Sequence, residues 1–168
     1  MHRRVRRIAL AGLALAVNAT CLSQSMPTTV GETLRGKRIV LVDATHGHTT
    51  VLVAGFSHEG GTGTGAWVKA LKADPVLTRV AVYQVAMLEK APGFIRGMIK
   101  SGMRKGLSAA EQDQSLVLTQ DEQSWRSYFD VSDDKDPYVM LIDANGKVLW
   151  RGHGAAGELE PQLRAALH

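Results

Sequence analysis

The sequence predicts an α/β protein, a three-layer sandwich in which a central mixed sheet lies between helices and carries a helical insertion. Three observations support this expectation. Short runs rich in branched and aromatic residues, such as Thr50–Phe56 and Tyr138–Ile142, alternate with stretches whose apolar residues recur at helical spacing. The run Val80–Val85 is continuous enough in apolar character for a strand buried on both faces. The stretch from Asp136 to Gly154, DPYVMLIDANGKVLWRGHG, reads as a hairpin entered through a proline: Asp143-Ala144-Asn145-Gly146 supplies the turn, and Pro137, with no N–H to donate, belongs at the strand's first residue.

The elements follow in order. Residues 22–36 are polar over most of their length and read as a tether, leaving 37–168 as the folded domain. Arg38–Asp43 and Thr50–Phe56 read as two strands joined by a hairpin loop over residues 44–49. Ser57–Gly65, SHEGGTGTG, reads as a glycine-rich loop leading into a helix over Ala66–Ala73, where Trp67, Ala70 and Leu71 share a face. After Val80–Val85 comes a helical insertion over Glu89–Gln114, in which Ser108-Ala109-Ala110-Glu111 is a capping box that restarts a helix after Gly106. Leu116–Leu118 is a short strand, Asp121–Phe129 a short helix, Ser132–Asp136 an acidic loop, and Ala156–Leu167 the closing helix. No repeat and no second domain are visible.

The chain has 168 residues and a net charge of +4, and the excess is local. Four of its 20 Lys+Arg are Arg3, Arg4, Arg6 and Arg7; the 16 that remain from Leu22 onward balance 16 Asp+Glu. Charge therefore gives no support to a nucleic-acid partner. The arginines precede Ile8–Val17, an uninterrupted apolar run with the length of a signal-peptide core, so residues 1–21 read as a signal peptide or a membrane anchor. Val17-Asn18-Ala19 has the small residues of a cleavage site, and Cys21 is the candidate for lipidation. Each version places the folded part in an extracytoplasmic compartment, the periplasm for a bacterial source. Cys21 is the chain's only cysteine and has no internal partner for a disulfide.

A proline opening a strand beside a hairpin resembles the C-terminal half of the thioredoxin fold, in which a cis-proline stands beside the redox site. That resemblance implies a cis Asp136–Pro137 bond. It also sharpens an absence, since disulfide chemistry needs a thiolate and usually a second, resolving thiol, and no cysteine follows Cys21. Three further blocks are similar to the family of mitochondrial ATP-synthase assembly factors, which help the membrane-embedded proton-channel subunit join its ring, and to their bacterial thioredoxin-like relatives. They are FSHEG followed by Trp67; FIRGMIKSGMRKGL; and SWRSYFD leading to YVMLIDANGKVLWRGHGAAGELE. The resemblance implies a thioredoxin-like domain without the CxxC motif, acting on a protein partner.

Candidate site residues fall in two groups. Phe56, Ser57, His58 and Glu59, with Pro137, form a candidate binding loop where a redox thioredoxin carries its cysteines. A histidine and a carboxylate there also suit a base and its orienter, or two metal ligands, so an enzyme or metal carrier using His58, Glu59 and His153 is the alternative reading. His46-x-His48 has no third ligand nearby, and GTGTG lacks the lysine of a phosphate loop. The second group is Arg96, Lys100 and Arg104, spaced i, i+4, i+8 as one helical stripe, a candidate surface for a partner or for anionic lipid. The sequence implies no catalytic residue, cofactor or metal. It points to an exported, non-redox protein that binds another protein, with a membrane-protein subunit as the candidate partner, in the manner of an assembly factor.

Overall fold

The computed structural model describes residues 25–167; the apolar leader and Cys21 lie outside them. The sheet has seven strands: β1 (Val30–Thr33), β2 (Arg38–Val40), β3 (Thr50–Gly55), β4 (Ala81–Met87), β5 (Ser115–Leu118), β6 (Tyr138–Ile142) and β7 (Val148–His153), in the order β2-β1-β5-β4-β3-β6-β7. β3, β4 and β5 run parallel, and the remaining pairs are antiparallel, so the sheet is mixed. The helices are α1 (Leu41–Thr45), α2 (His58–Ala73), α3 (Gly93–Arg104), α4 (Ala109–Asp113), α5 (Glu122–Phe129) and α6 (Ala156–Ala165).

β3 is buried along its whole length, and its two-residue period divides the core. Leu52 and Ala54 enter one layer with Trp125, Tyr128 and Phe129 of α5; Val51 and Val53 enter the other with Trp67 and Leu71 of α2 and Leu163 of α6. These layers on either face of the sheet make the predicted sandwich.

Three local expectations are corrected. The tether contains β1, which pairs with β2 on one side and β5 on the other and is followed by the fully buried Leu34. Its residues are polar enough to read as linker, and their partner, Glu32 against Val117, lies far along the chain. The expected strand over Arg38–Asp43 stops at Val40, because α1 starts at Leu41; β2 ends at the sheet's edge while β3 lies near its centre, so the two form no hairpin. The expected loop over Ser57–Gly65 is helical from His58. Glycine costs about 1 kcal/mol each in a helix, but here tertiary packing prevails. A Cβ at Gly60 would stand 2.8 Å from the carbonyl oxygens of Asp134 and Asp136, and one at Gly63 would stand 2.7 Å from Pro137 Cγ.

The helical insertion folds as expected into two helices broken at Gly106, whose φ is +79°. The capping box forms: Ser108 Oγ accepts from the Glu111 N–H, and Glu111 Oε2 accepts from the Ser108 N–H at 2.6 Å. Glu111 also pairs with Lys72 of α2, fastening the insertion to the layer behind it. The bond from Lys72, with those from Ser108, lowers the Glu111 carboxyl to about 2.

Two predictions follow from these contacts. Gly63→Ala should lower stability by roughly 1–3 kcal/mol, since the proline ring cannot yield as a flexible side chain would. Gly65→Ala, whose Cβ meets nothing within 4 Å, should raise stability by up to about 1 kcal/mol. Thermal melts of the two variants should therefore move in opposite directions. A folded-state value near 2 against an ordinary 4.5 means that Glu111 stabilises the fold above pH 4.5 and that this contribution is lost as pH falls towards about 2. Urea titrations across that window should show a shallower loss for Glu111→Gln than for the wild type.

Candidate functional site

The site forms where β3 ends and α2 begins. Ser57 is the N-cap of α2: its Oγ accepts from the Gly60 N–H at 3.1 Å and donates to the Asp134 carbonyl at 2.6 Å. One hydroxyl thus starts the helix and ties it to the acidic loop. Pro137 is buried against Gly63, at the entry of β6. The Asp136–Pro137 bond is trans, which corrects the expected cis isomer; no cis bond occurs among the described residues. The helix presents glycines rather than side chains at Gly60 and Gly63, so the trans loop seats directly on it.

Phe56 is a core residue with one edge on the adjoining cavity. It is 7% exposed and meets the rings of Phe129 and Tyr138 edge to face. The Arg126 guanidinium lies 5.3 Å from its ring centroid, within cation–π range. Arg126 also bonds Glu122 Oε1 at 2.7 Å and grips Asp134 with both terminal nitrogens, one at 2.8 Å. These bonds to Asp134 raise the Arg126 pKa, and the same pairing holds Asp134 below its ordinary value. Burial pushes Glu122 upward, but the bonds from Lys90 and Arg126 outweigh it and hold this carboxyl low as well. Sequence reasoning missed Arg126; its signal was the Glu122-x-x-x-Arg126 pair preceding an acidic loop.

The loop is closed by Tyr138, whose hydroxyl accepts from the Ser132 and Asp133 N–H groups, both at 2.9 Å, and donates to the Asp133 carbonyl at 3.0 Å. His153 stacks on the Tyr138 ring with centroids 5.2 Å apart, and its Nδ1 lies 2.7 Å from Asp136 Oδ2. The Trp67 indole donates to the Gly154 carbonyl at 2.8 Å, fixing the end of β7 to α2. His58 and Glu59 are exposed in the first turn of α2, where a carboxylate favours the helix dipole. Among the described residues no three His, Cys, Asp or Glu side chains stand close enough to hold a metal ion. His153 is instead engaged with Asp136 and Tyr138.

Beside this loop lies a cavity of about 630 Å³ between the start of α2, the end of β4 and α3. Phe56, Val85, Met87, Ile99 and Met103 give it an apolar lining, and His58 and the Lys90–Glu122 pair add polar groups. The run Val80–Val85, expected to be buried on both faces, is only half-buried up to Gln84, and at Gln84 the cavity is what opens it.

The predicted stripe on α3 turns inward. Arg96 donates through Nε to the Ala91 carbonyl and through Nη2 to the Glu89 carbonyl, both at 2.7 Å; Arg104 Nε donates to the Leu34 carbonyl at 2.6 Å; Lys100 pairs with Glu32. Two of the three residues thus bind the helix to β1 and the turn after it, and Arg96 closes the helix's own entry.

The fold matches solved thioredoxin-like structures. The thioredoxin domain of a thiol-disulfide oxidoreductase from Bacteroides vulgatus superposes with a TM-score of 0.58 at 13% identity, covering 87% of this chain and 97% of that one. BsSco, a member of the Sco family of cytochrome c oxidase assembly proteins, gives 0.56 at 15%, covering 86% and 94%. The exposed lipoprotein thioredoxin of Streptococcus pneumoniae gives 0.53 at 16%, covering 81% and 96%. Identities this low speak for the fold alone. No curated protein matches at a significant level. The model of the ATP10 protein family, however, matches residues 21–165, nearly the whole chain, and spans the three blocks that resemble the ATP-synthase assembly factors. The chain belongs to the ATP10 protein family, with a thioredoxin-like fold and no CxxC motif.

Proposed function

We propose that this protein is an exported assembly factor that binds a protein partner, a membrane-protein subunit, through the start of α2 and the cavity beside it. The observation that supports this reading most directly is the state of the site. The helix start and the proline loop are packed as a rigid unit by Ser57, Arg126 and Tyr138, while no cysteine stands at the helix start. A rigid, thiol-free site next to an apolar cavity suits recognition of a partner segment. Phe56 and Pro137 then act as supports from below, and His58 and Glu59 are the residues that meet the partner. Family membership favours a role in assembly over an enzyme or metal carrier. The apolar leader and Cys21 supply the route to the membrane, by cleavage, lipidation or retention as an anchor.

The full-length protein should be captured from membranes of its source in mild detergent, with bound proteins identified. His58→Ala with Glu59→Ala should lose the specific partner while moving stability by no more than about 0.5 kcal/mol, as exposed positions do. Retention of the same partner at wild-type yield would move the contact away from this loop. An insulin-reduction assay should show no turnover, because no thiolate is available beyond Cys21. Activity that persists in Cys21→Ser would defeat the non-redox reading.

A further inference from the structure

We infer that the outer face of α3 is a reversible contact for an anionic lipid bilayer, a reading that rests on the proposed action at a membrane. α3 is unusual in this fold: it spans twelve residues and buries none of them. Ile99 and Met103 turn to the cavity, and Lys100 and Arg104 fasten the helix to β1 and the turn after it. The remaining face carries Phe94, 74% exposed, and Met98, 67% exposed, the two most exposed large apolar side chains among the described residues. They lie one turn apart, and Lys105 follows seven residues after Met98, on the same side.

Charge selects the occupant. From Lys90 through Ala110 there are five basic residues and no acidic one, although the chain from Leu22 onward carries equal numbers of each. Glu122 answers Lys90 and Glu32 answers Lys100. Arg96 and Arg104 bond only carbonyl oxygens, and among the described residues no carboxylate pairs with them or with Lys105. Exposed Lys105 beside the Phe–Met pair, with the uncompensated charges of Arg96 and Arg104 on the helix's inner side adding to a positive local field, complements the headgroup layer of an anionic membrane, into which such apolar side chains dip while Lys105 remains at phosphate depth. No helix among the described residues is long and apolar enough to cross a membrane, so α3 would lie on the surface.

The contact can be read at α3 itself, independently of the apolar leader. In full-length Cys21→Ser protein, Met98→Cys should be labelled with a polarity-sensitive fluorophore, and Leu149→Cys, at an exposed position on β7, should serve as control. Vesicles of equal parts phosphatidylcholine and phosphatidylglycerol should shift the emission at position 98 to the blue and leave position 149 unchanged. The shift should fade at high salt and be absent with phosphatidylcholine alone. Lys105→Ala should weaken the vesicle affinity by roughly fivefold, the worth of one cation near an anionic surface. No shift at position 98, equal shifts with both lipids, or equal shifts at positions 98 and 149 would overturn the inference. Capture of the specific protein partner in detergent would then still stand, since it needs no bilayer. A shift at position 98 produced by that purified partner, and not by vesicles, would assign the face to protein instead.

Discussion

Pro137 rests on Gly63 with no room for a methyl group between them, and the carbonyls of Asp134 and Asp136 press as closely on Gly60. This contact between a loop and a helix start holds the functional end of the molecule together. It requires glycines in α2 despite their cost to helix stability, and it places Ser57 where one hydroxyl caps the helix and holds the loop. It also leads into β6, whose first residue, Tyr138, satisfies the loop's backbone through its phenol. Arg126 then bridges α5, the loop and the Phe56 ring from beneath.

The result is a closely packed helix start and loop that carry no thiol. In a thiol-based thioredoxin fold, the corresponding helix start bears cysteines and its dipole favours the thiolate. Here the exposed side chains at that position are His58 and Glu59, and the adjoining cavity is lined mainly by apolar groups. Close packing of such a loop against a helix start lowers the ordering cost that any binding there would carry.

Basic residues show how position in the fold decides the use of a charge. Arg96, Lys100 and Arg104 read in sequence as one exposed stripe, yet their side chains reach back to carbonyls and to Glu32, so that α3 is attached through its polar atoms. Phe94 and Met98 are left outward, while Ile99 and Met103 of the same helix turn to the cavity.

Much of the architecture was legible in residues whose meaning is local. The β-rich runs before Asp143 and over Thr50–Phe56, and the capping box at Ser108 and Glu111, state their structure through backbone preference alone. The absence of a second cysteine, and with it of a CxxC motif, was likewise legible in composition. Long-range partners decided the rest. β1 is a strand because β5 and β2 flank it, α2 begins at His58 because the proline loop covers its glycines, and Arg126 joins the site because Asp134 and Phe56 arrive beside it. These outcomes depend on contacts between residues distant in sequence, whose energies outweigh the roughly 1 kcal/mol preferences that a local pattern expresses.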